Sequence, residues 1–521
     1  MNQDFDIAVI GSGFGGSLIA MIAKRLGRSA ILLERGKHPR FVIGESSTPL
    51  ANLLLEELCG RYNLPALASL SNWGAWQRAH PEIACGLKRG FTFYHHRWDK
   101  PFTDDPERQS QLLVAASPRD EIADTHWYRA DFDYFLLRQA QGLGVEYVDE
   151  MVPRDLELKA DGVTVTGVRH GKEFSVRARF LIDATGPRGF VHRALNLPEV
   201  AFDYLPRAEG LYSHFTKVRR WDAVHASADT PPYPVDDAAL HHVFDGGWIW
   251  VLRFNNGITS AGVAATEPVA RSLRFEEGAA AWGRFLERLP SVREQFQEAK
   301  SALEFVHAPR LSFRSSRAAG SRWALLPSAA GFIDPLLSTG FALTLLGISR
   351  LARIIEQDWE SDRFEPGLKA YAAETFAELL AAERLVAALY ASMKDFGVFS
   401  LLSLLYFGAV SYAETARRLG RAELAESFLL HKNARFGPRL AQCCDWATRA
   451  SRTGRFTQEG KDELRRNVVD AIAPLDSAGL CDSARRNWYP VKAEDLLAAA
   501  PKFGVSLGEV LAVLRRNDSE P

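Results

Sequence analysis

The junction between Phe5-Asp-Ile-Ala-Val-Ile10 and Gly11-Ser-Gly13-Phe-Gly-Gly16 constrains this chain more than any other feature. A short β-branched run stopped by glycine reads as a buried parallel strand. The spacing predicts a helix over Ser17–Leu26 and a second strand over Ala30-Ile-Leu-Leu-Glu34, which together make a βαβ unit of about 30 residues. In that setting each glycine has a task. Gly11 makes the tight turn, Gly13 lets the backbone approach a pyrophosphate, and Gly16 lets helix and strand pack closely. The helix start offers free N–H groups and a positive dipole end to phosphate. Glu34, ending the second strand, is placed to accept hydrogen bonds from ribose hydroxyls. No second fingerprint for a nicotinamide dinucleotide follows, so the expected cofactor is FAD, with electrons delivered by another protein.

The rest of the chain reads as α/β. Phe180-Leu-Ile-Asp-Ala-Thr-Gly186 repeats the strand-into-glycine pattern, and Trp323-Ala-Leu-Leu-Pro327 does so loosely. Both suggest returns to the first sheet. Period-two alternation in Trp248-Ile-Trp250-Val-Leu-Arg and Thr259-Ser-Ala-Gly-Val predicts an antiparallel layer. The expected architecture is a Rossmann-like FAD-binding domain assembled from 1–204 and 311–358. An antiparallel substrate-binding sheet is inserted at 205–310, and a mostly helical region covers 359–521.

At 521 residues, with 47% hydrophobic and 24% charged residues, the chain can bury a large core. Its 63 Lys+Arg against 64 Asp+Glu give no bulk charge to recruit nucleic acid. Cys59, Cys85, Cys443, Cys444 and Cys481 show no metal-ligand spacing and read as reduced thiols, so no metal and a cytoplasmic setting are expected. The polar, acidic N-terminus is unlike a signal peptide. Phe396–Ala413 is free of charge and just long enough to span a bilayer, but its Gly and Ser residues read as a buried helix or pocket wall. Membrane contact is therefore not expected.

Patches from residue 5 to about 355 resemble the flavin-dependent halogenases, within the FAD-dependent aromatic monooxygenases. They are Gly44-Glu45-Ser46-Ser-Thr-Pro49, Lys88-Arg-Gly90-Phe-Thr-Phe93, Arg129-Ala-Asp131-Phe132, Asp183-Ala-Thr-Gly186, Trp248-Ile-Trp250 and Gly331-Phe-Ile-Asp334-Pro335-Leu-Leu-Ser338-Thr339-Gly340. The last is the most specific, being similar to the family's F-x-x-P-x-x-S-x-G element.

The resemblance implies that reduced FAD, supplied by a separate flavin reductase, reacts with O2 and that chloride or bromide is oxidised to hypohalous acid by way of a flavin hydroperoxide. Glu45, Ser46, Arg129, Asp334 and Gly340 are then expected to join Gly11, Gly13, Gly16 and Glu34 around the cofactor. Thr339 and Gly340 would bind halide through their backbone, although a helix cap facing only the flavin needs the same residue types. Lys88, in the K-x-G-x-x-F pattern, is the expected catalytic lysine. Its ammonium can polarise hypohalous acid or carry the halogen. Trp248 and Trp250 point to one face of a strand, where they wall the route to substrate or simply pack.

Departures narrow the reading. Tryptophan halogenases place glutamate where this chain has Leu337, which points to a phenol or pyrrole, free or carrier-bound. Pro327-Ser328 replaces the Gly-Asp of flavin hydroxylases, and Leu252-Arg253 replaces the family's Ile-Pro after the tryptophans. An FAD monooxygenase on the same scaffold, and a flavin-binding protein without turnover, fit the cofactor motifs as well.

Overall fold

The computed structural model of the protein describes residues 4–454 and 456–519. Along the chain run β1 (Asp4–Ile10), α1 (Phe14–Arg25), β2 (Ala30–Leu33), α2 (Pro49–Arg61), β3 (Cys85–Lys88), β4 (Gly90–His96), β5 (Gln111–Ala115) and β6 (Asp124–Trp127). Next come α3 (Arg129–Gly142), β7 (Glu146–Val148), β8 (Lys172–Asp183), β9 (Ala208–Thr216), β10 (Ala239–Phe244), β11 (Gly247–Arg253), β12 (Thr259–Thr266) and β13 (Trp323–Leu325). The last part holds α4 (Thr339–Gln357), α5 (Phe364–Ser392), α6 (Phe396–Arg418), α7 (Phe436–Arg452), α8 (Gln458–Ile472) and β14 (Trp488–Tyr489). The molecule is a mixed α/β protein.

An eight-stranded sheet carries β13, β8, β1, β2 and β7 side by side in that order, all parallel. A hairpin over 151–169 extends it by antiparallel pairing with β8. The β-branched residues of β1 and β2 are buried on both faces, as parallel strands between helices must be. The first helix begins at Phe14, three residues before the position read from the sequence. Gly13 is its extended N-cap and no side chain caps it, so its first N–H groups stay available.

The second sheet corrects the expectation of a separate antiparallel layer at 205–310. It has nine strands, and its central order is β9, β12, β11, β10, β4, β5, β14. β4 and β5 come from 90–115 and β14 from the far C-terminal part, and the β10–β4 and β5–β14 pairings are parallel. The layer is thus mixed and drawn from three parts of the chain, because β4 presents a fully pairable edge to β10. β3 and β6 form a separate two-stranded antiparallel ribbon beneath it.

α4 and α6 are each long and apolar enough to cross a membrane, but 72% and 83% of their apolar windows are buried within the protein. They pack with α1 and α5 in one continuous apolar core. Tyr371 on α5 donates to Leu325 O of β13 (2.6 Å), which ties the helical part to the parallel sheet.

Candidate active site

A cavity of about 750 Å³ lies between the two large sheets. Gly11, Gly13, Glu34, Glu45, Ser46, Arg129, Trp248, Trp250, Asp334, Thr339 and Gly340 are among the residues that line it. Of the residues singled out by sequence, Gly16 and Lys88 are off its wall. Gly16 supports the turn from behind, where a Cβ would fall 1.8 Å from Gly11 O. Gly11 itself has φ of +95°, and a Cβ there would press on Ala184 O at 2.8 Å. The turn therefore needs both glycines.

Glu34 is more committed than the sequence suggests. Its Oε2 accepts from Ser12 N (3.0 Å), Ser12 Oγ (2.8 Å) and Arg40 (3.1 Å), and its Oε1 from Gly36 N (3.0 Å). Burial pushes its pKa up, but Arg40 and the N–H donors of Ser12 and Gly36 outweigh that and hold it below the usual range. Arg129 is likewise occupied. It grips Asp133 with two parallel bonds (2.7 and 2.8 Å) and donates a third to Gly44 O (2.9 Å), fixing the loop that presents Glu45 and Ser46. Glu45 Oε1 accepts from His214 Nε2 (2.8 Å), while its buried Oε2 has no partner among the described residues.

The turn before α4 is held from several sides. Leu337 and Ser338 both adopt left-handed backbone, with φ of 64° and 54°. Asp334 Oδ1 accepts from Leu336 N (2.9 Å) and Trp248 Nε1 (3.2 Å), and its Oδ2 accepts from Tyr390 OH (2.8 Å). Asp334 is thus a brace for the turn, with both oxygens engaged by the protein. Burial raises its pKa to about 6, against the lowering by these three donors. Tyr406 OH donates to Leu337 O (2.7 Å). Ser338 gives α4 no side-chain cap, so the first N–H groups of the helix are not claimed by one, and a Cβ on Gly340 would meet nothing within 4 Å.

Lys88 ends β3 and is completely buried. Its Nζ donates to Ser46 Oγ (2.9 Å) and to Ser47 O, and sits 3.8 Å above the Phe91 ring. Ser46 lines the cavity, so one hydroxyl separates it from the ammonium. Across the ribbon Lys88 is in register with Asp124, whose Oδ1 accepts from Asn52 Nδ2 (3.0 Å) and whose Oδ2 has no partner among the described residues. Burial pulls the Lys88 pKa far down against the attraction of Asp124. Burial, then Glu414, push Asp124 up against Lys88. His241, which lines the cavity and stacks on Phe93 at 4.4 Å, is kept neutral by burial, with a pKa of about 3. Trp248 and Trp250 stand 5.6 Å apart on one face of β11.

Asp124, His241, His214 and the two tyrosines escaped the sequence reading. None lies in a recognisable motif, and each reaches the site through strand register or helix packing.

The tryptophan halogenase family profile matches residues 122–394. Tetracycline 7-halogenase of Kitasatospora aureofaciens is 32% identical over 70% of this chain and 66% of its own length. Monodechloroaminopyrrolnitrin halogenase PrnC of Pseudomonas fluorescens is 31% identical over 70% of the chain and 64% of its own. The chain thus spans about two thirds of the length of these relatives. A 1H-pyrrole-2-carbonyl-[peptidyl-carrier protein] chlorinase of Pseudomonas fluorescens is 25% identical over 66% of the chain and 74% of its own. Among solved structures, halogenase PltM in complex with phloroglucinol and FAD superposes with a TM-score of 0.81 at 25% identity, covering 92% of this chain and 99% of that one.

Proposed function

Since the chain belongs to the flavin-dependent halogenase family, we propose that it transfers an electrophilic halogen to an electron-rich aromatic ring, using FAD, O2 and chloride or bromide. The observation that carries this reading is the fully buried Lys88 ammonium, one serine hydroxyl behind a cavity that also receives the open start of α4.

The residues present fit FAD. The uncapped start of α1 and the bare Cα positions of Gly11 and Gly13 suit a pyrophosphate, within a Rossmann-like unit drawn from 1–204 and 311–358. Glu34, already engaged four times, has one Oε1 lone pair left for a ribose hydroxyl. Bound FAD, reduced by a separate flavin reductase, supplies with O2 the oxidising power that makes halide electrophilic.

The chain's own groups do the rest. The N–H groups of Thr339 and Gly340 hold the halide, with the α4 dipole behind them. Trp248 and Trp250 wall the cavity and keep bulky substrate from its oxidising end. Ser46 Oγ accepts from Lys88 and can pass a hydrogen bond onward to hypohalous acid, which the ammonium orients towards the substrate ring. Asp124 supplies the negative charge that favours the proton on Lys88 Nζ. The substrate class carried over from the relatives is a phenol or pyrrole, free or carrier-bound.

The test is direct. Purified protein with a flavin reductase, NADH, O2 and bromide is incubated with phloroglucinol and pyrrole surrogates, and products are read by mass spectrometry. Bromination that disappears in Lys88→Met supports the reading; a product that gains oxygen in place of bromine overturns it.

A further inference from the structure

A second cavity, of about 920 Å³, lies away from the one above, where α6 and α8 diverge. The two helices touch at Gly408, where a Cβ would come within 3.2 Å of Ile472. Towards the start of α6 they part. Phe396, Gly397, Ser400, Leu401 and Leu404 line one wall, and Lys461, Arg465, Val468, Val469 and Ile472 the other, each set at helical spacing. Both helices thus turn a continuous face to an open space.

Two observations mark this space as a site. Ser400 is buried and its Oγ has no hydrogen-bond partner among the described residues, whereas Ser403, one turn on, donates normally to Phe399 O (2.8 Å). The lining charges are also unbalanced. Lys461 pairs with Asp395 and Arg486 with Glu107 (3.7 Å), but Arg97, Lys394 and Arg465 have no carboxylate partner among the described residues. Only Asp245 stands against them.

Between the cavity and Lys88 the rings of β4 and α6 are packed and buried. Alternate residues of β4 face α6, with His95 stacked on Phe396 (5.3 Å), Phe93 edge-on to Phe399 (5.8 Å) and Phe91 edge-on to Phe407 (5.3 Å). Lys88 Nζ caps the Phe91 ring. From Phe91 to Arg97 the strand advances about 20 Å.

We infer that this cavity anchors the far end of an elongated aromatic substrate, binding its carboxylate or phosphate at Arg97, Lys394 and Arg465. This rests on the halogenase reading for the ring, but anchoring itself can be measured without catalysis. The same chemistry is offered by a free aromatic acid and by an aryl thioester on a phosphopantetheine arm.

The probes are phenol, a phenol carrying a long polymethylene chain that ends in carboxylate, and the methyl ester of the latter. Calorimetry without FAD or halide is expected to give about tenfold tighter binding of the carboxylate than of the ester, the order of one charge-assisted contact. In Arg97→Gln/Lys394→Gln/Arg465→Gln that ratio is expected to fall to about 1, and Arg465→Glu alone should lower it in the same direction. Equal binding of acid and ester by the unaltered protein, or a preference that survives the triple change, overturns the proposal. If anchoring is present but no ring is brominated, the halogenase reading fails and the site stands. Comparing the free acid with the phosphopantetheinyl thioester of the same phenol then tells which source the site serves.

Discussion

Lys88 and Asp124 are paired across the β3–β6 ribbon, both buried, with no ion-pair contact between them; Asn52 holds the carboxylate and Ser46 and Ser47 hold the ammonium. A charge pair kept apart in this way acts through its field. The groups that bear on it are His126 on β6, His241 on β10, and Tyr406, Glu414 and Arg418 on α6.

Replacing Lys88 by Met keeps the stem and removes the charge. Flavin binding is expected to persist, while kcat for bromination falls by about 10²-fold or more, the scale of losing one preorganised donor. Flavin absorbance of the purified variant and single-turnover product counts check both parts.

Asp124→Asn should move a pH profile. Burial lowers the Lys88 pKa and Asp124 opposes that, so losing the carboxylate lowers it further. In the proposed reaction the active form is the ammonium, which is lost as pH rises through that pKa. The alkaline limb of kcat against pH is therefore expected to shift to lower pH, with little change at the acid end. An unmoved limb would remove Asp124 from the account.

At the turn before α4, Tyr390→Phe takes from Asp334 Oδ2 the hydroxyl that donates to it. A buried carboxylate oxygen left without its donor costs about 1–3 kcal/mol, read as a lower midpoint in urea. Halide KM is expected to rise in the same variant, since the brace orients Thr339 and Gly340.

Gly16→Ala and Gly340→Ala should separate cleanly. The first puts a Cβ 1.8 Å from Gly11 O and is expected to abolish FAD binding or folding. The second meets nothing within 4 Å of protein, so it should fold normally but bind halide more weakly. Thermal melts and halide titration of the flavin spectrum distinguish them.

What could be read from sequence was local. Strand, glycines and helix of the Gly11–Gly16 turn all sit in one window, although the close approach that demands Gly11 comes from Ala184, far along the chain. Lys88, Thr339 and Gly340 were singled out only because their neighbours form motifs. Asp124 has no motif, and its bearing on Lys88 exists only once β3 and β6 are in register. The second sheet was misread for the same reason. Alternation at 248–263 reveals strands, but nothing local tells that β10 will pair in parallel with β4.

Tyr390 and Tyr406 carry a last consequence. Each reaches from the C-terminal helices to button down a separate link of the Asp334–Leu337 turn. The helical third of the molecule is therefore no detachable accessory. Any chimera that grafts a foreign tail onto this scaffold must bring both phenols in place, or it will inherit the chemistry's address with the door hanging loose.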